Sequence, residues 1–162
     1  MKLKQIVDEV FGDYKECGML LIFPSCTWKC EGCQNKHLAL LPTIDFPDDD
    51  ILERYISNPF SRCIIFGGLE PLDSVCDIAK FIRYLMKIGA NPLLVVYTGY
   101  ELLEVNDILH TTSLWALFKK YSNVVLKYGR YEQDGEACFN KALGINLASN
   151  NQSTIDFRSD IL

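Results

Sequence analysis

An α/β fold built on a mostly parallel sheet is predicted by three features of this sequence. Four short runs, Met19–Phe23, Cys63–Phe66, Leu93–Tyr97 and Val124–Tyr128, are dominated by apolar and β-branched residues, which is how strands buried on both faces of a parallel sheet read. Segments with helical periodicity lie between them. Each run is followed directly by a loop carrying cysteine, glycine or threonine. Repeated strand–helix–strand units imply right-handed crossovers, and hence parallel pairing.

Taken in order, Met19–Phe23 is the first strand. The segment Asp48 to Ile56 opens with three aspartates, which suit the positive end of a helix. Cys63–Phe66 is the second strand. After it, Ile78, Phe81, Ile82, Leu85 and Ile88 recur at three- and four-residue spacing, and Gly89 is placed to end that helix. Leu93–Tyr97 is the third strand, Leu114–Tyr121 a third helix and Val124–Tyr128 the fourth strand. From Lys141 onward the chain is polar, and Asp156 to Leu162 are expected to fray.

At 162 residues, 49% of them hydrophobic, the chain reads as one domain, 1–162, with a real core. It holds no internal repeat and no low-complexity linker. The net charge is −5 and no basic cluster is present, so direct nucleic-acid binding is not expected: a phosphate-binding surface needs concentrated Lys and Arg. No apolar run approaches the roughly 20 residues of a membrane-spanning helix, and Met1-Lys-Leu-Lys-Gln5 has no signal-peptide core. A cytoplasmic protein without membrane contact is the expectation.

Seven cysteines, an odd number, do not suggest a disulfide framework. Cys26, Cys30 and Cys33 cluster in Cys26-Thr-Trp-Lys-Cys30-Glu-Gly-Cys33 after the first strand. Structural zinc wants four protein ligands, and an ordinary four-iron cluster wants four thiolates. Three thiolates this close point to a [4Fe–4S] cluster with one iron open to a further ligand. A Cys3His zinc site completed by His37 is the alternative. Cys17, Cys63, Cys76 and Cys138 are scattered, and Cys63 reads as a small buried hydrophobe.

Parallel sheets bind ligands at the carboxyl ends of their strands. Here Cys26–Cys33, Gly67–Pro71, Thr98–Glu101 and Gly129–Glu132 follow the four strands in turn, placing four candidate loops on one rim. Gly67 and Gly68 allow backbone to approach a ligand closely.

The cysteine loop resembles the signature of the radical S-adenosylmethionine (SAM) superfamily. Phe66-Gly-Gly-Leu-Glu-Pro-Leu72 resembles its Gly-Gly-Glu motif, with Leu69 standing between the glycines and the acid. Tyr97-Thr-Gly-Tyr-Glu101, Tyr128-Gly-Arg-Tyr-Glu132 and the stretch from Gly144 to Phe157 resemble segments of the activating enzymes of anaerobic ribonucleotide reductase. The five matches occur in that family's order and span most of the chain. Two departures are visible: the family's Asp-Gly-Pro-Gly entry is replaced by Asp13 to Gly18, and its aspartate before Gly129 by Tyr128.

The resemblance implies a single-domain partial (βα) barrel with the cluster at the C-terminal rim of the strands. It implies SAM as second cofactor, cleaved reductively to methionine and a 5′-deoxyadenosyl radical, and a glycyl radical formed on a partner enzyme, an anaerobic ribonucleotide reductase. A flavodoxin or ferredoxin would be the electron donor. By the same resemblance Glu70, with Gly67, Gly68 and Leu69 beside it, faces the SAM ammonium. Thr98 and Gly99 line the ribose or methionine, Arg130 faces the carboxylate, and Asn151 with Asn150 and Gln152 serves the adenosine or a partner backbone. Trp28 shields the cluster. A radical SAM enzyme acting on a peptide or small molecule, and a non-catalytic Fe–S or zinc binding module, are the alternatives.

Overall fold

The computed structural model describes residues 1–159, and among them no helix is long and apolar enough to cross a membrane. The strands are β1 (Lys2–Leu3), β2 (Gln5–Val10), β3 (Gly18–Ile22), β4 (Ile44–Asp45), β5 (Cys63–Gly67), β6 (Leu93–Tyr97), β7 (Val124–Tyr128), β8 (Cys138–Asn140), β9 (Ile145–Leu147) and β10 (Ser153–Asp156). The α-helices are α1 (Asp48–Ser57), α2 (Val75–Ile88), α3 (Leu102–Thr111) and α4 (Leu114–Tyr121).

The central sheet has six strands in the order β10-β7-β6-β5-β3-β2. The inner four, β3, β5, β6 and β7, are parallel, as their sequences predict, and the outer two pair antiparallel. Neither edge strand is legible as one. β2 is interrupted by Asp8 and Glu9, which an edge strand tolerates. β10 lies in the polar tail and ends on Asp156, the first residue expected to fray, yet it pairs with β7 along its length, and Phe157, also expected to fray, is buried against Trp115 and Phe118. The apolar anchor Phe157 overrides the polar composition around it. The rest of that expectation, Asp160 to Leu162, lies outside the described residues.

All four helices cover one face of the sheet. Strand residues there include Met19, Leu21, Ile64, Phe66, Leu94, Val96 and Leu126, packed with Ile51, Ile78, Phe81, Val105 and Phe118 from the helices. Helix α2 ends as its sequence predicts: Gly89 adopts φ 73° and its N–H reaches the Leu85 and Met86 carbonyls. Phe81 is fully buried, with its ring 6.1 Å from Phe66 and 6.4 Å from Tyr84. Phe81→Ala is expected to cost about 3–5 kcal/mol through lost burial and a residual cavity, read as a lower urea midpoint with an unchanged slope.

The opposite face carries no helix. Ile65, Val95 and Val125 are covered there by Tyr14, Leu143 and Leu147, the last from the two-stranded β8–β9 hairpin. The cover is incomplete toward the carboxyl ends of the strands, where Leu20, Ile65 and Tyr97 form the floor of an open cavity.

Candidate cluster site

That cavity, about 350 Å³, is bounded by all four rim loops. Cys26, Cys30 and Cys33 all line it, with Cys26 exposed and the other two half-buried; all are free thiols. None of Cys17, Cys63, Cys76 or Cys138 reaches it. Burial pushes the Cys26 thiol up, and the nearby Glu70 and Asp73 carboxylates add to this. A thiolate there therefore needs a positive partner, which iron supplies.

The cysteine loop is tied to the rest of the rim at two points. The Glu70 N–H donates to the Ser25 carbonyl at 2.9 Å. The backbone N–H and hydroxyl of Thr27 both donate to Asp73 Oδ2, at 2.8 and 2.9 Å, while Tyr100 donates to Asp73 Oδ1 at 2.9 Å. One carboxylate thus fastens the loops after β3 and β6 together.

Gly67, Gly68, Leu69, Glu70, Thr98 and Gly99 all reach the cavity wall. Gly68 has φ 75°, and a Cβ there would lie 2.8 Å from Ile22 Cγ2, so glycine is required on two counts. Glu70 is 2% exposed. Its Oε1 accepts from Thr98 Oγ1 (2.7 Å) and the Leu72 N–H (3.0 Å), and its Oε2 accepts from the Gly99 N–H (2.8 Å). Burial raises its pKa against the pull of these donors. The carboxylate is a strut that locks the β5 and β6 loops in register with each other.

Arg130 and Asn151 do not line the cavity. The Arg130 guanidinium lies 3.6 Å over the Trp28 ring and its Nη2 is 3.3 Å from Glu104 Oε2, so it packs on the cysteine loop from outside. Trp28 sits edge-on to Tyr100, with centroids 4.8 Å apart, and closes one wall. Asn151 Nδ2 donates to the Arg130 carbonyl at 2.9 Å and holds the β7 loop. Gln152 does reach the cavity, and its Nε2 lies 3.5 Å from the Gly129 carbonyl.

Lys127 is the cation of the site that the sequence reading passes over. It is 6% exposed, lines the cavity and donates from Nζ to the Gly129 carbonyl at 2.8 Å. Burial lowers its pKa to about 8, with Glu70, Glu101 and Cys30 pulling the other way. The signal was its position: one lysine inside the apolar run Val124–Tyr128. Asp13 shares the cavity, and burial raises its pKa.

His37 Nδ1 faces the Gln34 carbonyl at 2.9 Å. Among the described residues, no three His, Cys, Asp or Glu side chains converge tightly enough to hold a single ion. A four-iron cluster asks for something different: thiols spread around a space large enough for four irons and four sulfides. Three free thiols on a cavity with an apolar floor of Leu20 and Ile65 fit that requirement.

Comparison with known proteins agrees. No curated protein matches the chain. The model of the 4Fe-4S single cluster domain family matches residues 16–154, from the residue before Cys17 into β10, and so takes in the four parallel strands and the four rim loops that follow them. With that extent matched and three thiols on one cavity, the chain belongs to the 4Fe-4S single cluster domain family.

Proposed function

We propose that this protein is a radical SAM activating enzyme that generates a glycyl radical on a partner of the anaerobic ribonucleotide reductase type, receiving its electron from a flavodoxin or ferredoxin. The observation that carries the reading is the count of thiols on the cavity: three cysteines reach it and the other four do not. A cluster held by three thiolates keeps one iron for an outside ligand, and the resemblances quoted above make SAM that ligand. When bound, cluster and SAM together supply a one-electron cleavage to methionine and a 5′-deoxyadenosyl radical.

The residues of the chain bind, orient and exclude water. Gly68 brings backbone to the cavity wall in a conformation that a side chain, which would run into Ile22, does not allow. Lys127 is better placed than Arg130 to hold the SAM carboxylate, since its ammonium lines the cavity while the guanidinium is stacked on Trp28. Glu70 acts through Thr98 and Gly99, fixing the loop that the resemblance assigns to the ribose or methionine. Helices on one face of the sheet and the cavity on the other are compatible with the partial barrel that the resemblance implies, and the open side of the cavity leaves room for a loop of another protein.

Anaerobic reconstitution with iron and sulfide, reduction by dithionite and assay of SAM cleavage tests the reading. The expected result is 5′-deoxyadenosine formed only with cluster, reductant and SAM all present. A chain that assembles and reduces the cluster yet leaves SAM intact, alone and with a candidate reductase, is not this enzyme.

A further inference from the structure

A second cavity, about 310 Å³, opens beside the first and shares most of its lining with it, Asp13, Cys33, Gln34, Asn35, Lys127 and Gln152 among them. Its far wall is made by four consecutive residues, Ile145, Asn146, Leu147 and Ala148, the first three of which form β9. Successive side chains of a strand point to opposite faces. Four in a row bound the cavity and no residue of β8 does, which puts the side of β9 away from β8 toward it. Among the described residues β9 is paired with β8 alone, so this edge presents the backbone donors and acceptors that an added strand would satisfy. Of the shared residues, Gln34, Asn35 and Gln152 carry amides that match the mixed donor and acceptor character of a peptide backbone.

We propose that this second cavity takes an extended polypeptide segment, added as a third strand to the free edge of β9 and led by it into the cluster cavity at Cys33. Main-chain bonds to β9 would supply affinity, as in other cases of strand addition. A small metabolite has no use for a strand edge. What is done to the segment rests on the function proposed above; that a segment binds here does not.

The test uses the reconstituted protein and a fluorescein-labelled peptide, Thr-Lys-Val-Thr-Gly-Thr-Val-Lys-Thr, followed by anisotropy. A set of peptides carries one backbone N-methyl group each, leaving the protein untouched. Alternate N–H groups of a strand point the same way, so methylation at every second residue should weaken binding about fivefold or more, with the residues between unaffected. Asn146→Pro in the protein should weaken the parent peptide as well. No binding of the parent peptide, or a response to methylation without period two, overturns the proposal, as does dimerisation of the chain through β9 that the peptide cannot compete. SAM cleavage is assayed on the same preparation. Cleavage without the period-two pattern sinks the strand-addition site alone, whereas the pattern without cleavage sinks the enzymatic reading alone.

Discussion

Cys30→Ala is expected to abolish cluster assembly while leaving the fold intact. Cys30 is the middle cysteine of the loop and lies half-buried on the cavity wall with Cys26 and Cys33. With three thiolates on the cavity and no fourth to replace one, losing any of them leaves two, too few to hold four irons. Iron and sulfide per chain should fall to background after anaerobic reconstitution, and the visible absorbance of the cluster should vanish. The stability of the cluster-free chain should change by about 0.5 kcal/mol or less, because the thiol is not part of the core. Cys63→Ala supplies the opposite case. Cys63 is wholly buried against the helix-free face, with its thiol pushed up to about 12 by burial. Its loss should cost about 1 kcal/mol as a small cavity and leave iron loading unchanged. Equal iron in the Cys30→Ala and parent chains would remove Cys30 from the ligand set.

The parts of the fold that the sequence announces are those where local and global signals agree. Four apolar runs became β3, β5, β6 and β7 within a residue of their expected ends, and Leu114–Tyr121 is α4 over the same residues. Helix α3 is not among the expected elements, although Glu101 and Glu104 form a capping box at its start, because Val105, Asn106, Asp107 and Thr111 are weak helix formers. The strands β8, β9 and β10 are only three or four residues long, too short for a periodic signal, and β10 pairs with β7, which lies far from it along the chain. At the site, the cysteines and Gly68 were legible because chemistry or steric space demands those residue types. The aim of Arg130 and Asn151 was not, since a loop residue's facing depends on what packs around it. Arg130 turned to Trp28 and Glu104; Asn151 turned to the backbone of its own rim. Lys127 was readable in principle. Alternation along β7 sends Val124, Leu126 and Tyr128 toward the helices, so residue 127 must face the cavity side.

Lys127→Met is expected to stabilise the chain and impair it at once. A lysine whose folded pKa is about 8 lies well below its unfolded value of 10.5, so at pH 7 the folded state holds an ammonium ion that it disfavours. The shift corresponds to about 3 kcal/mol at neutral pH. Methionine removes that penalty at similar length but forfeits the charge-assisted bond to the Gly129 carbonyl, worth about 1.5 kcal/mol. The cluster-free variant should therefore be more stable by about 2 kcal/mol at pH 7 in urea unfolding. The sign with pH follows from the depressed pKa. Between pH 8 and 10.5 the unfolded chain holds a proton that the folded chain has released, so the parent gains stability as pH rises. The advantage of the variant should shrink across that window. Binding should move the other way. If Lys127 holds the carboxylate of SAM, removing its charge should weaken SAM binding by about ten- to a hundredfold, measured by equilibrium dialysis against the reconstituted chain. A variant that is less stable than the parent at pH 7 would mean the ammonium is better satisfied than its burial implies. One that is more stable but binds SAM as tightly would leave the lysine without a ligand. Only the paired outcome, stability gained and affinity lost, marks a buried charge kept for binding at the expense of the fold.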